Sequence, residues 1–215
     1  MVSLGCARQR RASLGMAWHG RRKEQQAVKR IDATIEGTTP LIINKFTDAA
    51  QLAATSGSSQ ANRQPSDPRE AAMARLYVND KGVPVLPQPN LFRCFIEGGR
   101  FFKSGKSKVT TQRNSLVAAC LSVDGLHFPI QSTGGWSVDT RPIRNPATGG
   151  RMLRYRPIFH DWRISFSMSL MEEIIARKLL REIVDASGKL IGLGDFRPDC
   201  KGPFGKFVVV EWREE

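Results

Sequence analysis

The sequence predicts an α+β fold: a βαββαβ core of the ferredoxin-like, RRM-like kind, carrying long insertions. Three observations lead there. Residues 31–36 and 162–170 alternate apolar with polar side chains, the period of a half-buried strand. Residues 172–187 repeat apolar side chains at a helical spacing, with Ile175, Leu179 and Ile183 beside Ala176, Leu180 and Val184. The last apolar run, FVVVEW at 207–212, is rich in β-branched and aromatic residues.

In chain order, the first strand closes at Gly37, and Pro40 then precedes the short apolar run 41–43. Residues 48–68 are Ala-, Ser-, Gln- and Asn-rich and read as a long flexible insertion, with a short helix starting at Pro68. In VPVLPQPNLFRCFIEGGRFF, Pro87 and Pro89 end a strand and Asn90 is the predicted N-cap of a helix. Its apolar face is Leu91, Phe92, Phe95, Ile96 and Phe102, and Gly98 and Gly99 interrupt it late. SLVAACLSV at 115–123 reads as a buried strand, and 124–150 as irregular chain rich in Gly and Pro. Glu172 and Glu173 are placed to favour the N-terminus of the second helix, and Gly188 to end it. The expected organisation is a basic tail at 1–30 and one domain at 31–215, with insertions at about 40–86 and 124–160.

Charge narrows the function. The chain carries 33 Lys plus Arg against 20 Asp plus Glu, a net charge of +13. Such a field attracts polyanions, nucleic acid foremost. Residues 1–30 hold +7 of it and the remaining chain +6. The tail reads as a disordered basic arm; an organelle transit peptide or a start at Met16 are the alternatives. Four scattered cysteines (Cys6, Cys94, Cys120, Cys200) and three scattered histidines (His19, His127, His160) give no metal-ligand spacing. No metal and no cofactor is expected, no membrane span, and a reduced, cytoplasmic setting.

Three basic groups are the candidate contacts to a strand. Lys103, Lys106, Lys108 and Arg113 lie in a polar segment without a single acid. Arg141, Arg144, Arg151, Arg154 and Arg156 form a second series, and Arg154 and Arg156 share one face if extended. Tyr155 and Phe159 beside them are candidates for base stacking or for packing. The third group is LIGLGDFRPDCKGPFGKF at 190–207. Its glycines stand after a helix and before a strand, the reverse of a nucleotide-binding loop. Gly192, Gly194, Gly202 and Gly205 either turn the chain or let backbone approach phosphates, with Arg197, Lys201 and Lys206 supplying charge. His160 and Asp161, adjacent in an extended chain, point apart and make no catalytic dyad.

Taken together, TPLIINKF after the first strand, the proline-led entry to the first helix and the Gly-rich loop before the last strand resemble the RAMP superfamily. The likeness is to the backbone subunits that coat guide RNA in CRISPR effector complexes, and also to uncharacterised phage and prophage proteins. It implies an RRM-like core with a protruding thumb, Lys45 among the contacts, and subunits packed along single-stranded nucleic acid, RNA rather than DNA, with other effector-complex subunits as possible partners. Some relatives cut RNA through an acid in the loop after the first strand, which makes Asp48 the one candidate catalytic residue. The expectation is a binding protein rather than an enzyme. The alternatives are a phage single-stranded DNA-binding protein for replication or recombination, an RNA endonuclease, and a protein that mimics a backbone subunit within a host complex.

Overall fold

The computed structural model describes residues 28–47, 51, 55, 67–144 and 149–215. Asp48, most of the 48–68 insertion and nearly all of the basic tail lie outside them.

The fold is α+β. Its main sheet has four antiparallel strands in the order β11 (Phe207–Glu214), β1 (Val28–Gly37), β10 (Arg163–Met171), β6 (Leu121–Asp124). Helix α2 (Gln88–Gly98) falls between β1 and β6 in sequence, and helix α4 (Arg177–Ala186) between β10 and β11. These six elements follow the expected order. Alternation decides which face is covered: Ile31 and Ile35 of β1 and Ile164, Met168 and Leu170 of β10 are fully buried. They meet Leu91 and Phe95 of α2 and Leu180, Ile183 and Val184 of α4. Phe95 packs on Phe166 with ring centroids 5.8 Å apart. A bulge between Thr34 and Ile35 shifts the β1–β11 register and leaves Val210 without a partner on β1.

A second sheet joins β2 (Leu41–Ile42), β9 (Arg151–Phe159) and β8 (Ser137–Arg144). Strands β8 and β9 form one long antiparallel hairpin, and β2 holds its base through Leu41–Phe159 and Ile42–Ile158 pairing. Strand β3 (Val85–Pro87) pairs with β7 (His127–Pro129), and β4 (Lys103–Ser104) with β5 (Ser107–Lys108). The one-turn helix α1 (Pro68–Met73) starts where expected, capped by the Asp67 carboxylate, which accepts from the Arg69 and Glu70 amides.

Several expectations are corrected. Helix α2 begins at Gln88 with Pro87 as N-cap, not at Asn90: Pro89 sits in the first turn, where a missing N–H costs nothing. It also runs through Gly98 into a 3-10 turn at Gly99–Phe101. Residues 115–123 are not one strand. The Ser115 hydroxyl accepts from the Ala118 amide and caps a short helix, α3 (Leu116–Cys120), before β6 begins. The 124–150 stretch holds β7 and β8 rather than irregular chain alone. Helix α4 starts at Arg177, because Ile175 turns into the core and Ala176 stays extended. Glu172 lies before the helix and binds Arg177 Nε at 2.8 Å. The α-helix ends at Ala186 with Ser187 as C-cap, so Gly188 stands at the expected C′ position, but the chain winds on there instead of leaving. Gly188 lies in a π-helical turn, Ser187–Ile191, where a Cβ would stand 2.2 Å from the Phe207 carbonyl, so only glycine lets the turn press onto β11. The chain leaves at Gly192, with φ 73°.

Candidate nucleic-acid interface

The uncovered face of the main sheet, where an RRM-like protein stacks bases, carries no aromatic side chain among the described residues. It presents Asp32, Thr34 and Glu36 of β1 opposite Ser167, Ser165 and Arg163 of β10. These groups satisfy one another. Ser167 donates to Asp32, which holds that carboxylate below its ordinary pKa; Thr34 reaches Glu211 at 3.2 Å; Arg163 pairs with Glu36. A polar, self-paired face offers little to a polyanion.

The unpaired positive charge lies elsewhere, on the two hairpins. In the small one, β4 and β5 place Lys103 directly opposite Lys108, with Lys106 in the turn between them. All three are exposed, as is Arg113 nearby, and none makes an ion pair among the described residues. In the large one, Arg144 stands opposite Arg151 and Arg141 opposite Arg154. Like charges directly opposite across two strands repel, so folding works against each of these pairs. Only Asp139 opposite Arg156 is a pair of unlike sign in that hairpin.

The base of the large hairpin is a buried polar network. Arg156, only 5% exposed, donates from Nη1 to Asp195 and from Nη2 to Asp139, both at 2.9 Å. Asp139 also accepts from Arg141 Nε at 2.6 Å. Asp195 also accepts from the Asn44 amide at 2.9 Å. The Asn44 carbonyl in turn accepts from Arg75 at 3.0 Å. Asp195 belongs to the Gly-rich loop, so this network joins the loop, the chain after β2 and the hairpin. The Arg141 guanidinium continues the junction, lying 4.6 Å from the centre of the Phe204 ring. Phe204 packs at 6.0 Å on Phe196, a non-glycine residue at φ 50° with its ring partly in solvent.

The glycines of the loop make close approaches, and the neighbour they approach is protein. A Cβ on Gly194 would stand 2.3 Å from the Ile42 carbonyl, and one on Gly205 1.9 Å from the Leu193 carbonyl. Gly192 and Gly202 are crowded in the same way by Pro198 and Phe196. The Asp195 amide donates to the Ile42 carbonyl at 2.7 Å and the Gly205 amide to the Pro40 carbonyl at 2.8 Å, sewing the loop to β2.

The predicted cations therefore divide. Arg141, Arg156 and Arg197 hold carboxylates of their own chain; Arg197 bonds the Gly194 carbonyl and pairs with Asp199 at 3.3 Å. Lys103, Lys106, Lys108, Arg113, Arg144, Arg151, Arg154, Lys201 and Lys206 form no ion pair among the described residues. Lys45 is engaged through its amide, which donates to the Arg75 carbonyl at 2.9 Å. Phe159 is core, 1% exposed, and cannot stack a base; Tyr155 is half-buried. Arg75, Asn44, Asp139 and Asp195 escaped the sequence reading, since nothing local marks residues far apart in the chain that meet only in the fold.

Other chemistry finds little footing. His160 touches Ser137 while Asp161 accepts from Ser132 and Thr133, so the two adjacent residues serve separate contacts. The Cys94 thiol donates to the Gly192 carbonyl at 3.3 Å and burial raises its pKa strongly; the Cys120 thiol is pushed up to about 11. Both thiols are buried. Among the described residues no three His, Cys, Asp or Glu gather to hold a metal, and no helix is long and apolar enough to cross a membrane.

No family model and no curated protein sequence matches the chain. Among solved structures, it is similar to a chain in the cryo-EM structure of the type III-B Cmr-beta bound to cognate target RNA. Identity is 12% and the TM-score 0.45, over 87% of this chain and 60% of that chain.

Proposed function

We propose that this protein binds single-stranded nucleic acid, RNA rather than DNA, in a cytoplasmic setting and without cutting it. Repeated subunits would pack along the strand in the manner of the RAMP-superfamily backbone subunits that its motifs resemble. One observation carries the binding: like charges without an ion pair among the described residues face one another across strands, Lys103 with Lys108 and Arg144 with Arg151. Each opposes folding, and a phosphate backbone laid across them removes the repulsion and releases its own counterions. The choice of RNA and the self-association rest on the resemblance of the TPLIINKF, proline-led helix and Gly-rich segments.

The test is fluorescence anisotropy with a labelled single-stranded RNA, the DNA of the same sequence and the duplex, from about 0.05 to about 0.5 M salt. If the four cations of the small hairpin region each meet a phosphate, log K falls against log salt with a slope near −3, roughly 0.7 per contact. RNA should bind more tightly than DNA, and both more tightly than duplex. Binding that ignores salt, or none, overturns the proposal; tighter binding of DNA moves it to a single-stranded DNA-binding protein. An intact RNA label after incubation separates binding from cleavage.

A further inference from the structure

Four arginines and two carboxylates gather at the root of the large hairpin. Asp139 and Asp195 are taken up by Arg141 and Arg156. Arg75 and Arg154 have no carboxylate partner among the described residues, and Arg75 bonds only the neutral Asn44 side chain. The Nε–H groups of Arg75, Arg154 and Arg156 are all buried and all without a hydrogen-bond acceptor. Native proteins satisfy nearly all buried donors, so three orphans on three neighbouring arginines call for an explanation. The arginines are close enough to repel: besides burial, the larger cause, Arg154 and Arg156 lower the pKa of Arg75. The cluster thus holds a surplus of two positive charges, with unused donors, in a partly dry setting.

We propose that Arg75 and Arg154, backed by Arg156, seat one phosphate group of the bound strand. A guanidinium presents its N–H groups in a planar fork that matches two oxygens of one phosphate, and Arg75 and Arg154 are each part-exposed. A phosphodiester carries one negative charge and offsets half of the surplus; a terminal phosphate carries up to about two and offsets all of it. Arg156, fixed on both sides by Asp139 and Asp195, supplies a rigid floor, whereas the lysines of the small hairpin supply a mobile field. The seat fixes where the strand crosses the protein; the lysines fix how strongly it is attracted. This inference rests on the strand-binding reading and assigns it a register point.

The test pairs two ligands. Thermal melting is followed with inorganic phosphate against chloride at constant ionic strength, for wild type, Arg154→Gln, Arg75→Gln and Arg154→Lys. The same proteins are titrated with single-stranded RNA bearing a 5′-phosphate or a 5′-hydroxyl. Phosphate should raise the melting temperature of wild type and not of Arg154→Gln or Arg75→Gln. Each Gln variant should bind RNA about 5-fold more weakly at about 0.1 M salt, with the salt slope smaller by about 0.7. Arg154→Lys should keep the slope yet lose part of the affinity, since a lysine carries the charge without the fork. Equal losses for both RNAs place an internal phosphodiester in the seat; a loss confined to the 5′-phosphorylated RNA places the terminal group there. If both Gln variants keep the wild-type response to phosphate and to RNA, the cluster is structural and the proposal falls. If phosphate stabilises through Arg154 while no RNA binds, the strand-binding reading is what fails, and the seat belongs to a free phosphate.

Discussion

Lys108→Glu sets folding and binding in opposition, and the structure says by how much. Lys103 and Lys108 are direct cross-strand partners in a two-residue by two-residue ladder. Replacing one by Glu turns a repulsive pair into an attractive one. Such a pair contributes roughly 0.2–1 kcal/mol, and exposure and salt hold this one at the low end. For a chain of this size that raises the melting temperature by at most about 1 °C. Binding moves the other way. One phosphate contact with a slope of roughly 0.7 is worth about 5-fold in affinity at 0.1 M salt, and reversing a charge changes the local balance by two units. The lost contact costs about 5-fold and makes the slope smaller by about 0.7, and repulsion by the new carboxylate adds to the loss of affinity. Lys178→Glu, on the exposed side of α4, makes the same change in net charge away from both hairpins. Anisotropy titrations of the two variants, beside their melting curves, separate a contact from the overall field. If Lys108→Glu binds RNA no worse than Lys178→Glu, the small hairpin does not touch the strand and the reasoning from paired like charges is refuted.

Three further predictions concern the scaffold. Phe95→Ala empties a fully buried site against Phe166 and should cost about 3–5 kcal/mol in urea unfolding; a loss below about 1 kcal/mol contradicts its place in the core. Gly188→Ala drives a Cβ into the Phe207 carbonyl and should destabilise by at least about 1–3 kcal/mol, whereas Gly134→Ala, whose Cβ would meet its nearest atom at 3.5 Å without a positive φ, should cost less; equal losses would show that the π turn does not press on β11. Asp161 accepts from the Thr133 hydroxyl, the Thr133 amide and the Ser132 hydroxyl, which hold its carboxyl well below the usual carboxylate range. A depressed carboxylate contributes stability above its unfolded pKa, near 3.9, and loses it as pH falls towards the folded value. Asp161→Asn should therefore melt lower than wild type at neutral pH, with the gap closing below about pH 4; a gap that stays constant through acid assigns the effect to shape rather than charge.

Much of the fold was legible because it follows from local periodicity. The alternation of β10 and the apolar rows of α4 each reflect burial of one face, and burial of one face is what a sheet with helices on one side requires. What misled is equally local. SLVAACLSV contains enough β-branched residues for a strand, yet Ser115 can cap a helix and Ala118 and Ala119 favour one, so the chain takes a helical turn before pairing. Glu172 and Glu173 look like first-turn acids, but the core claims Ile175 ahead of the helix and moves the start to Arg177. In the first case a local cap decided; in the second a tertiary contact outweighed a propensity worth only tenths of a kcal/mol.

The candidate site was legible as composition and illegible as arrangement. A run of lysines without acids is plain in the sequence, and so is a series of arginines. Whether such cations are paired depends on register, which a hairpin sets through its turn and its tether rather than through any residue in the run. Shifting β9 by one residue would place Arg156 opposite a different partner and dissolve the Asp139 contact that now fixes the hairpin root. The observed register makes one favourable pair, Asp139 with Arg156, and two unfavourable ones, Arg141 with Arg154 and Arg144 with Arg151. Pairing of β9 with β2, where Leu41 and Ile42 bury Phe159 and Ile158, holds that register at the apolar end. The hydrophobic base thus imposes on the outer hairpin a set of charge contacts that folding alone would not select, and the polyanion proposed above would turn the same contacts to advantage.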